Sequence, residues 1–360
     1  MSDPVQVPVR LAVVGAGPIG RRHLDAIAAE PSCQAVAVVD PASNSAETAA
    51  EWNLPHYDDL YHMLAEVAPD GVINATPNTL HVPLSLECLR QGVPVLVEKP
   101  IADNLDDALE LADASERLGI PVLVGHHRRH NPLVQKAREI IASGALGQLT
   151  VISATWLARK PDDYFDVAWR RSRGGGPVLI NLIHDIDSLR FIAGEIAAVQ
   201  AMTSNARRGF EVEDTAALLL RFRAGDEGGA LATVTLSDTV ASPWSWELTS
   251  GERTSYTFPQ TGQDCYLFAG TEGSLAMPSM RLWRHDGAGS WQSPLSMQQP
   301  TQQLASTPAD PIQLQVRHFA DVIRGRAKPL ITARDASRTL EAALAVSQAA
   351  ATGAEVTLST

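Results

Sequence analysis

Residues 9–20 read VRLAVVGAGPIG and decide the first part of the fold. The apolar run 9–14 predicts a buried β-strand, and the glycine-rich turn that follows opens a helical pattern. G-x-G-x-x-G between a strand and a helix is the arrangement that binds a dinucleotide pyrophosphate. A glycine turn of purely structural purpose is the alternative. The residues expected to hold the cofactor here are Gly15, Gly17, Pro18, Ile19 and Gly20.

Short apolar runs and helical stretches alternate through the first third of the chain. The further runs lie at 35–39, 71–75, 93–97 and 120–124. Continuous apolar strands separated by crossover helices indicate a parallel sheet that is covered on both faces. We therefore predict an α/β, doubly wound dinucleotide-binding domain of the Rossmann type over residues 1–127.

A different pattern begins near residue 148, where apolar runs follow one another with short turns. These runs lie at 149–157, 197–203, 215–223 and 229–237, and a helical segment covers 176–193. Residues 128–360 are therefore predicted to form an α+β domain with a mixed or antiparallel sheet. Residues 286–311 indicate a surface loop, and two helices are expected at 312–324 and 334–352, which can pack back toward the first domain.

Composition excludes several classes of partner. With 29 basic and 41 acidic residues the net charge is −12, which disfavours nucleic acid because phosphate contacts need clustered Lys and Arg. No apolar run has the roughly 20 residues of a membrane span, and the first residues lack a signal-peptide pattern. Cys33, Cys88 and Cys265 are odd in number and widely spaced, so we expect reduced thiols and a cytoplasmic protein.

Asp40 ends the second predicted strand, twenty residues after Gly20. A carboxylate at this place binds the ribose hydroxyls of the adenosine, although a helix-capping Asp is the alternative. Pro41, Ala42 and Ser43 follow it, so no Arg or Lys is ready for a 2′-phosphate. NAD is therefore favoured over NADP.

Two further strand ends carry polar residues that we expect near a ligand. Thr76-Pro77-Asn78 follows the third predicted strand, with His81 shortly after, and Glu98-Lys99-Pro100 follows the fourth. Ligands collect at the carboxyl ends of strands in doubly wound sheets, which places Lys99 near the nicotinamide. An ordinary charged turn is the alternative for Glu98-Lys99-Pro100.

The helical segment 176–193 carries an unusual polar face. At 100° per residue Asn181, His184 and Ser188 lie opposite the apolar side, flanked by Asp185 and Asp187. Such a face can hydrogen-bond a polyhydroxylated ligand and move a proton. A solvated face with an incidental histidine is the alternative, and we expect no metal here because Asp185 and His184 point about 100° apart.

Histidine and arginine residues follow the fifth predicted strand. His126 and His130 have the spacing of a metal pair, but the chemistry expected here needs no metal. Arg128 and Arg129, with Arg170, Arg171 and Arg173, can bind a carboxylate, although some are expected to pair with surplus acids. We therefore hypothesise a modest preference for a carboxylated substrate.

The ordered set of motifs resembles the Gfo/Idh/MocA family of NAD(P)-dependent oxidoreductases, which includes inositol dehydrogenases and glucose–fructose oxidoreductases. The set comprises Gly15–Gly20, Thr76–His81, Glu98–Pro100, Trp169-Arg170 and His184–Asp187. The resemblance implies a Rossmann domain followed by an open-faced, mostly antiparallel sheet, used for homodimers or homotetramers. It also implies that Lys99 bonds the reacting hydroxyl, that His184 is the general base, and that Trp169 and Arg170 close over the nicotinamide.

One departure from the family pattern concerns the partner of the histidine. Inositol-dehydrogenase-like members have an Asp four residues before it, where this chain has Ile180, so Asp185 or Asp187 is a candidate replacement. We expect hydride transfer between NAD and a secondary alcohol of a sugar, cyclitol or hydroxylated ring carboxylate, with Arg128, Asn181, His184, Asp185 and Lys99 binding substrate. An NAD-dependent glycosidase and a non-catalytic NAD sensor are the alternatives.

Overall fold

The computed structural model describes residues 7–223, 229–252, 262–285, 289–298 and 310–359, and these form two compact units. The first unit contains the described residues up to His130 together with Asp310–Leu340. The second contains the described residues from Asn131 to 298 together with Glu341 to Ser359. This grouping differs from the predicted division after residue 127, because residues 128–130 and 310–340 belong with the first unit.

A six-stranded parallel sheet forms the centre of the first unit, which confirms the predicted Rossmann architecture. Its strands are β1 (Val9–Val14), β2 (Cys33–Val39), β3 (His56–Tyr57), β4 (Gly71–Asn74), β5 (Val95–Val97) and β6 (Val122–Val124). They lie in the order β3-β2-β1-β4-β5-β6, which places the topological switch point between β1 and β4. Ligands bind outside the carboxyl ends of the strands at such a point. Only β3 was not predicted, because two residues show no periodicity.

Helices connect these strands and cover the sheet. They are α1 (Pro18–Ala28), α2 (Ser45–Glu51), α3 (Leu60–Val67), α4 (His81–Arg90) and α5 (Leu105–Leu118). Side chains of β1, such as Leu11 and Val13, are fully buried in the core of this unit. Continuous burial of this kind explains why most positions of these strands are apolar, rather than every second one.

A nine-stranded, mostly antiparallel sheet forms the second unit. Its strands are β7 (Leu149–Leu157), β8 (Ile196–Ser204), β9 (Thr215–Phe222), β10 (Leu231–Ser237), β11 (Tyr266–Gly270), β12 (Gly273–Met277), β13 (Arg281–His285), β14 (Leu295–Gln298) and β15 (Val356–Thr357). They lie in the order β14-β13-β12-β11-β7-β10-β9-β8-β15. Helices α6 (Pro132–Ala142), α7 (Ile183–Ala193) and α8 (Trp246–Ser250) belong to this unit. The four predicted runs correspond to β7, β8, β9 and β10.

The predicted surface loop at 286–311 is wrong in part. Leu295–Gln298 forms β14 and pairs with β13, while residues 286–288 and 299–309 lie outside the described residues. The strand has four residues, and among the described residues it pairs with one neighbour only. It therefore has no buried apolar pattern that the sequence could show.

Two helices near the end of the chain, α9 (Pro311–Ile323) and α10 (Ala333–Thr352), lie within one residue of their predicted bounds. Val316, Phe319 and Ala320 of α9 are fully buried in the same core as β1. This contact explains why residues 310–340 group with the first unit. No helix in the described part of the chain is sufficiently long and apolar to span a membrane.

Candidate functional site

The three glycines of the turn after β1 have different surroundings. Gly15 has a φ of +98°, and a Cβ at Gly20 would lie 1.8 Å from the carbonyl oxygen of Gly15, so both positions exclude a side chain. A Cβ at Gly17 would have no described atom within 4 Å. The turn is therefore closed toward the protein at Gly15 and Gly20 and open at Gly17, as the approach of a phosphate requires.

Helix α1 begins at this turn without a side-chain cap. Gly17 is its N-cap, Pro18 is its first residue, and its first turn contains no acidic side chain. The amides of Ile19 and Gly20 precede the first intrahelical bond, which Arg21 N donates to Gly17 O. Unfilled amides and the positive end of the helix dipole suit a pyrophosphate. These residues fit a dinucleotide.

Asp40 lies beside the same turn. Its Oδ2 accepts a hydrogen bond from Ala16 N at 2.7 Å, and its Oδ1 accepts one from Ala42 N at 2.9 Å. The carboxylate is half-buried and thereby joins the ends of β1 and β2. A carboxylate has about four acceptor sites, so these two bonds leave acceptors for ribose hydroxyls. The ribose contact of Asp40 stays a prediction.

His81 links the two loops that follow β4 and β5. Its Nδ1 lies 2.7 Å from Pro100 O and its Nε2 lies 2.9 Å from Thr76 O. Burial lowers the pKa of His81, although both carbonyls favour its protonated form. The predicted cofactor residue His81 is therefore buried, and it holds the backbone of the loops that carry Thr76 and Lys99. Pro77 is exposed and Asn78 is half-buried, so both are accessible at this edge.

Asn74 is a polar residue at this edge that sequence reasoning missed. Its Oδ1 accepts a hydrogen bond from Thr76 Oγ1 at 2.7 Å, and its Nδ2 donates to His81 O at 3.0 Å. A polar residue at the last position of a buried strand was the available signal. Asn74 shapes the turn that carries the predicted cofactor residues.

Glu98 is buried and faces the interior of the first unit. Its Oε1 lies 2.7 Å from Nε2 of His23, and its Oε2 accepts a hydrogen bond from Lys99 N at 3.2 Å. Burial raises the pKa of Glu98, but the bond to His23 and the charges of His23, Lys99 and His127 lower it to about 2. The predicted cofactor residue Glu98 thus has protein partners, and sequence reasoning missed His23.

The basic segment after β6 is buried. Arg128 is 1% exposed, and Arg129 forms an ion pair with Asp335. The ring of His130 lies 5.1 Å from that of His318, and burial is the main cause that lowers the pKa of His130 to about 3. Among the described residues no group of three or more His, Cys, Asp or Glu is arranged to hold a metal.

Trp169 and Arg170 lie on a 3₁₀ turn of the second unit. The Arg170 guanidinium lies 4.0 Å from the centre of the Tyr164 ring and donates to Tyr164 O at 2.7 Å. Trp169 is 50% exposed, and Arg171 and Arg173 are exposed as well. Trp169 thus presents an exposed aromatic surface next to Arg170, whose side chain is held in place by Tyr164.

The predicted helix 176–193 begins with a π-helical turn. Val178–Leu182 forms this turn and α7 follows it, so the step of 100° per residue does not place Asn181 relative to His184. The Oδ1 atom of Asn181 is buried and accepts no hydrogen bond from the described residues. His184 is 4% exposed, and Asp187 and Ser188 are buried. The alternative of a solvated polar face is therefore wrong.

Asp185 contacts the sheet of its own unit. Its Oδ1 accepts a hydrogen bond from the hydroxyl of Tyr266 in β11, and the Tyr266 ring stacks on Trp246 with centroids 5.6 Å apart. Asp185 reaches the sheet because consecutive side chains of a helix point about 100° apart, so Asp185 and His184 face different surroundings. Asp185 therefore has a protein partner within its own unit, and its role in substrate binding stays a prediction.

Glu213 binds the backbone at the start of the π-helical turn. Sequence reasoning did not identify this residue. Its Oε1 accepts a hydrogen bond from Val178 N at 2.8 Å, and burial raises its pKa. A Cβ at Gly176 would lie 2.3 Å from the same oxygen, so this glycine admits the carboxylate. No periodic signal links residue 213 to residue 178, because the contact joins a loop to a helix start.

Comparison with known proteins agrees with this geometry. Residues 9–126 match the oxidoreductase family with an NAD-binding Rossmann fold, and residues 134–276 match the GFO/IDH/MocA C-terminal domain. The rhizopine catabolism protein MocA of Rhizobium meliloti is 32% identical over 52% of this chain and 57% of its own length. An inositol 2-dehydrogenase of Rubrobacter xylanophilus is 32% identical over 64% of this chain and 65% of its own length.

The alignments to MocA and to the inositol 2-dehydrogenase each cover less than two thirds of that relative's own length. The crystal structure of the WlbA dehydrogenase from Bordetella pertussis, in complex with NADH and UDP-GlcNAcA, shares the fold with a TM-score of 0.81 and 22% identity. It covers 99% of this chain and 100% of that one. The glycine turn, the parallel sheet and the family matches over most of the chain lead to one conclusion: this chain belongs to the GFO/IDH/MocA family of NAD-binding oxidoreductases.

Proposed function

We propose that this chain oxidises or forms a secondary alcohol of a small polyhydroxylated substrate, such as a sugar, a cyclitol or a hydroxylated ring carboxylate. The observation that carries the proposal is the turn after β1, which is open at Gly17 and bordered by Asp40. When bound, NAD accepts or supplies the hydride. Gly15, Gly17, Pro18, Ile19, Gly20 and Asp40 would hold its pyrophosphate and ribose.

Lys99 and His184 are proposed to handle the proton of the reacting hydroxyl. Lys99 follows β5 at the carboxyl edge of the parallel sheet, where ligands of this fold bind. Its ammonium would donate a hydrogen bond to the substrate oxygen and stabilise the developing negative charge. His184 would take the proton, since imidazole titrates near neutral pH.

The surroundings of the other predicted site residues suggest which of them contact the cofactor and which contact the substrate. Thr76, Pro77 and Asn78 lie in the loop after β4 and would contact the cofactor, with His81 holding this loop from behind. Trp169 and Arg170 would contact the nicotinamide. Asn181 is a substrate-binding candidate because its buried oxygen accepts no bond from the described residues. Arg128 is a further candidate, as a guanidinium suits a carboxylate.

A substrate panel tests this proposal. Purified protein with NAD is assayed for NADH formation on myo-inositol, scyllo-inositol, D-glucose, methyl glucoside and shikimate. We expect turnover of at least one cyclic polyol or ring acid. We also expect a preference for NAD over NADP, because a carboxylate that binds the ribose hydroxyls would repel a 2′-phosphate. Turnover of shikimate alone would support a role of the arginines in carboxylate binding.

Two results would contradict the proposed reaction. Release of methanol from methyl glucoside without NADH accumulation would indicate an NAD-dependent glycosidase. Tight NAD binding without turnover of any member of the panel would favour a non-catalytic NAD sensor.

We also propose that the chain forms a homodimer or homotetramer through the open face of its nine-stranded sheet. Large apolar side chains are exposed on that face, and the paired positions of neighbouring strands place them on the same side of the sheet. They are Val151, Met202, Leu219, Leu231, Leu267, Trp283 and Met297. A sheet face with several large exposed apolar side chains is typical of an interface, and a second copy presents a surface of the same chemistry.

Replacement of Leu219 by glutamate tests this interface. Leu219 is 54% exposed in the middle of β9, so we expect its charge to disrupt association without unfolding the monomer. Light scattering after size exclusion should show a mass near that of one chain. The matched control is Leu118→Glu on the first unit, where the side chain is 47% exposed and association should persist. A monomeric wild type would contradict the proposal.

The cytoplasm is the proposed location of the protein. Cys33, Cys88 and Cys265 are buried thiols, which suits a reducing compartment. Burial raises the pKa of Cys88 to about 12, so this thiol stays protonated and unreactive.

A further inference from the structure

His23 and Glu98 form a buried polar pair in the first unit. His23 is 0% exposed and lies on α1, the helix that begins at the glycine turn. Its Nε2 atom lies 2.7 Å from Glu98 Oε1. A buried carboxylate is costly unless it is hydrogen-bonded, so the position of Glu98 depends on this donor.

The second oxygen of Glu98 connects the pair to Lys99. Oε2 accepts a hydrogen bond from the Lys99 backbone N–H at 3.2 Å, so one carboxylate bridges α1 and the residue after β5. A Cβ at Gly125 would lie 2.9 Å from the Glu98 carboxyl carbon, which shows that the end of β6 closes the third side. The carboxylate therefore has one defined position between three elements.

The charge of Glu98 also acts on Lys99. His23 on α1, Lys99 next to Glu98 and His127 after β6 lower the pKa of Glu98 by their charge, and the bond to His23 lowers it further, so Glu98 stays ionised. His81 on α4 also interacts with the charge of Glu98, but burial lowers the pKa of His81 and keeps it neutral near pH 7. The interaction between two charges is reciprocal, so a carboxylate that Lys99 stabilises in turn stabilises the Lys99 ammonium. The pair thus favours Lys99 as a cation that donates hydrogen bonds.

We propose that Glu98, held by His23, is a positioning residue that fixes the backbone and the positive charge of Lys99. The role rests on the proposed function, in which Lys99 stabilises charge on the substrate oxygen. It also connects the phosphate-binding helix to the reacting end of the site, because His23 lies on the helix that begins at the glycine turn. Neither residue needs to touch the substrate.

The chain offers a substrate-free test because it has only four lysines, at positions 99, 136, 160 and 328. Reductive methylation with ¹³C-formaldehyde labels their amines, and Lys99→Arg assigns the Lys99 signal in the NMR spectrum. We expect this signal to titrate about one pH unit lower in Glu98→Gln than in the wild type. Glu51→Gln, which removes an exposed carboxylate of the same unit, should leave it unchanged.

His23 variants test the other half of the pair. In the wild type Glu98 stays ionised between about pH 5 and 8, so Glu98 itself should add no inflection to the Lys99 signal in that range. In His23→Leu the buried carboxylate loses its donor, and an inflection should appear in that range. His23→Gln retains an N–H donor and should behave as the wild type. A merely structural role of His23 would not produce this difference between leucine and glutamine.

Two outcomes would overturn the proposal: an unchanged Lys99 titration in Glu98→Gln, or the same inflection in both His23 variants. If Glu98→Gln fails to fold, the two His23 variants decide. Where a panel substrate turns over, kcat should fall about tenfold in His23→Leu and recover in His23→Gln. The titration needs no substrate. It therefore distinguishes a failure of the proposed reaction from a failure of the proposed positioning role of Glu98 and His23.

Discussion

Lys99→Met should lower kcat for NAD reduction by about 10²–10⁴-fold, the usual contribution of a positioned proton-transfer or charge-stabilising group. Methionine keeps an unbranched apolar chain and removes the ammonium, so the substrate oxygen loses its donor. The dissociation constant of NAD, measured by calorimetry, should change by less than about threefold, because the glycine turn and Asp40 are untouched. Steady-state kinetics on the substrate identified in the panel provides the measurement.

Lys136→Met is the matched control for this variant. Lys136 forms an ion pair with Glu139 on the surface of α6, and an exposed pair of this kind contributes little to stability. Its removal should leave kcat and NAD binding as in the wild type. Full activity of Lys99→Met would refute the proposed mechanism, while the family membership and the cofactor would stand.

Gly20→Ala and Gly17→Ala should separate the folding role of the glycine turn from its binding role. At Gly20 a Cβ would lie 1.8 Å from the Gly15 carbonyl oxygen, so α1 must move away from β1. We expect a loss of about 3 kcal/mol in the free energy of unfolding, at the upper end for overpacking, and loss of NAD binding. Urea denaturation and calorimetry measure the two quantities.

At Gly17 the same methyl group meets no described atom within 4 Å, and the residue has a φ of −69°, which alanine adopts. Stability should therefore stay within about 0.5 kcal/mol of the wild type. The methyl would occupy the approach of the pyrophosphate, so we expect NAD to bind about tenfold more weakly, equivalent to about 1.4 kcal/mol. Equal losses of stability in both variants would contradict this division of roles.

Local patterns predicted the first unit well because its signals are local. Each buried parallel strand is visible in the sequence as a continuous apolar run. The glycine turn at Gly15–Gly20 lies between a strand and a helix that both have such local patterns. Tyr266 and Glu213 were missed for the opposite reason. Their partners, Asp185 and Val178, lie 81 and 35 residues away in the chain. No periodicity connects such positions.

The polar face of 176–193 shows where a helical wheel reaches its limit. The wheel grouped Asn181 with His184, but the π-helical turn Val178–Leu182 changes the number of residues per turn. It also left open whether the face is solvated, since a helix of mixed polarity fits both burial and exposure. In the tertiary structure His184, Asp187 and Ser188 of this face are buried.

The sequence by itself determined five of the six strands of the first unit, the strands of the second unit up to β10, and the dinucleotide turn, because these depend on the chemistry of neighbouring residues. Only the tertiary structure decided how individual polar groups are used. It assigned Asp185 to Tyr266, Glu98 to His23 and residues 310–340 to the first unit. The physical reason is that a buried polar group takes the partner that folding brings within hydrogen-bond distance, which the order of residues does not specify.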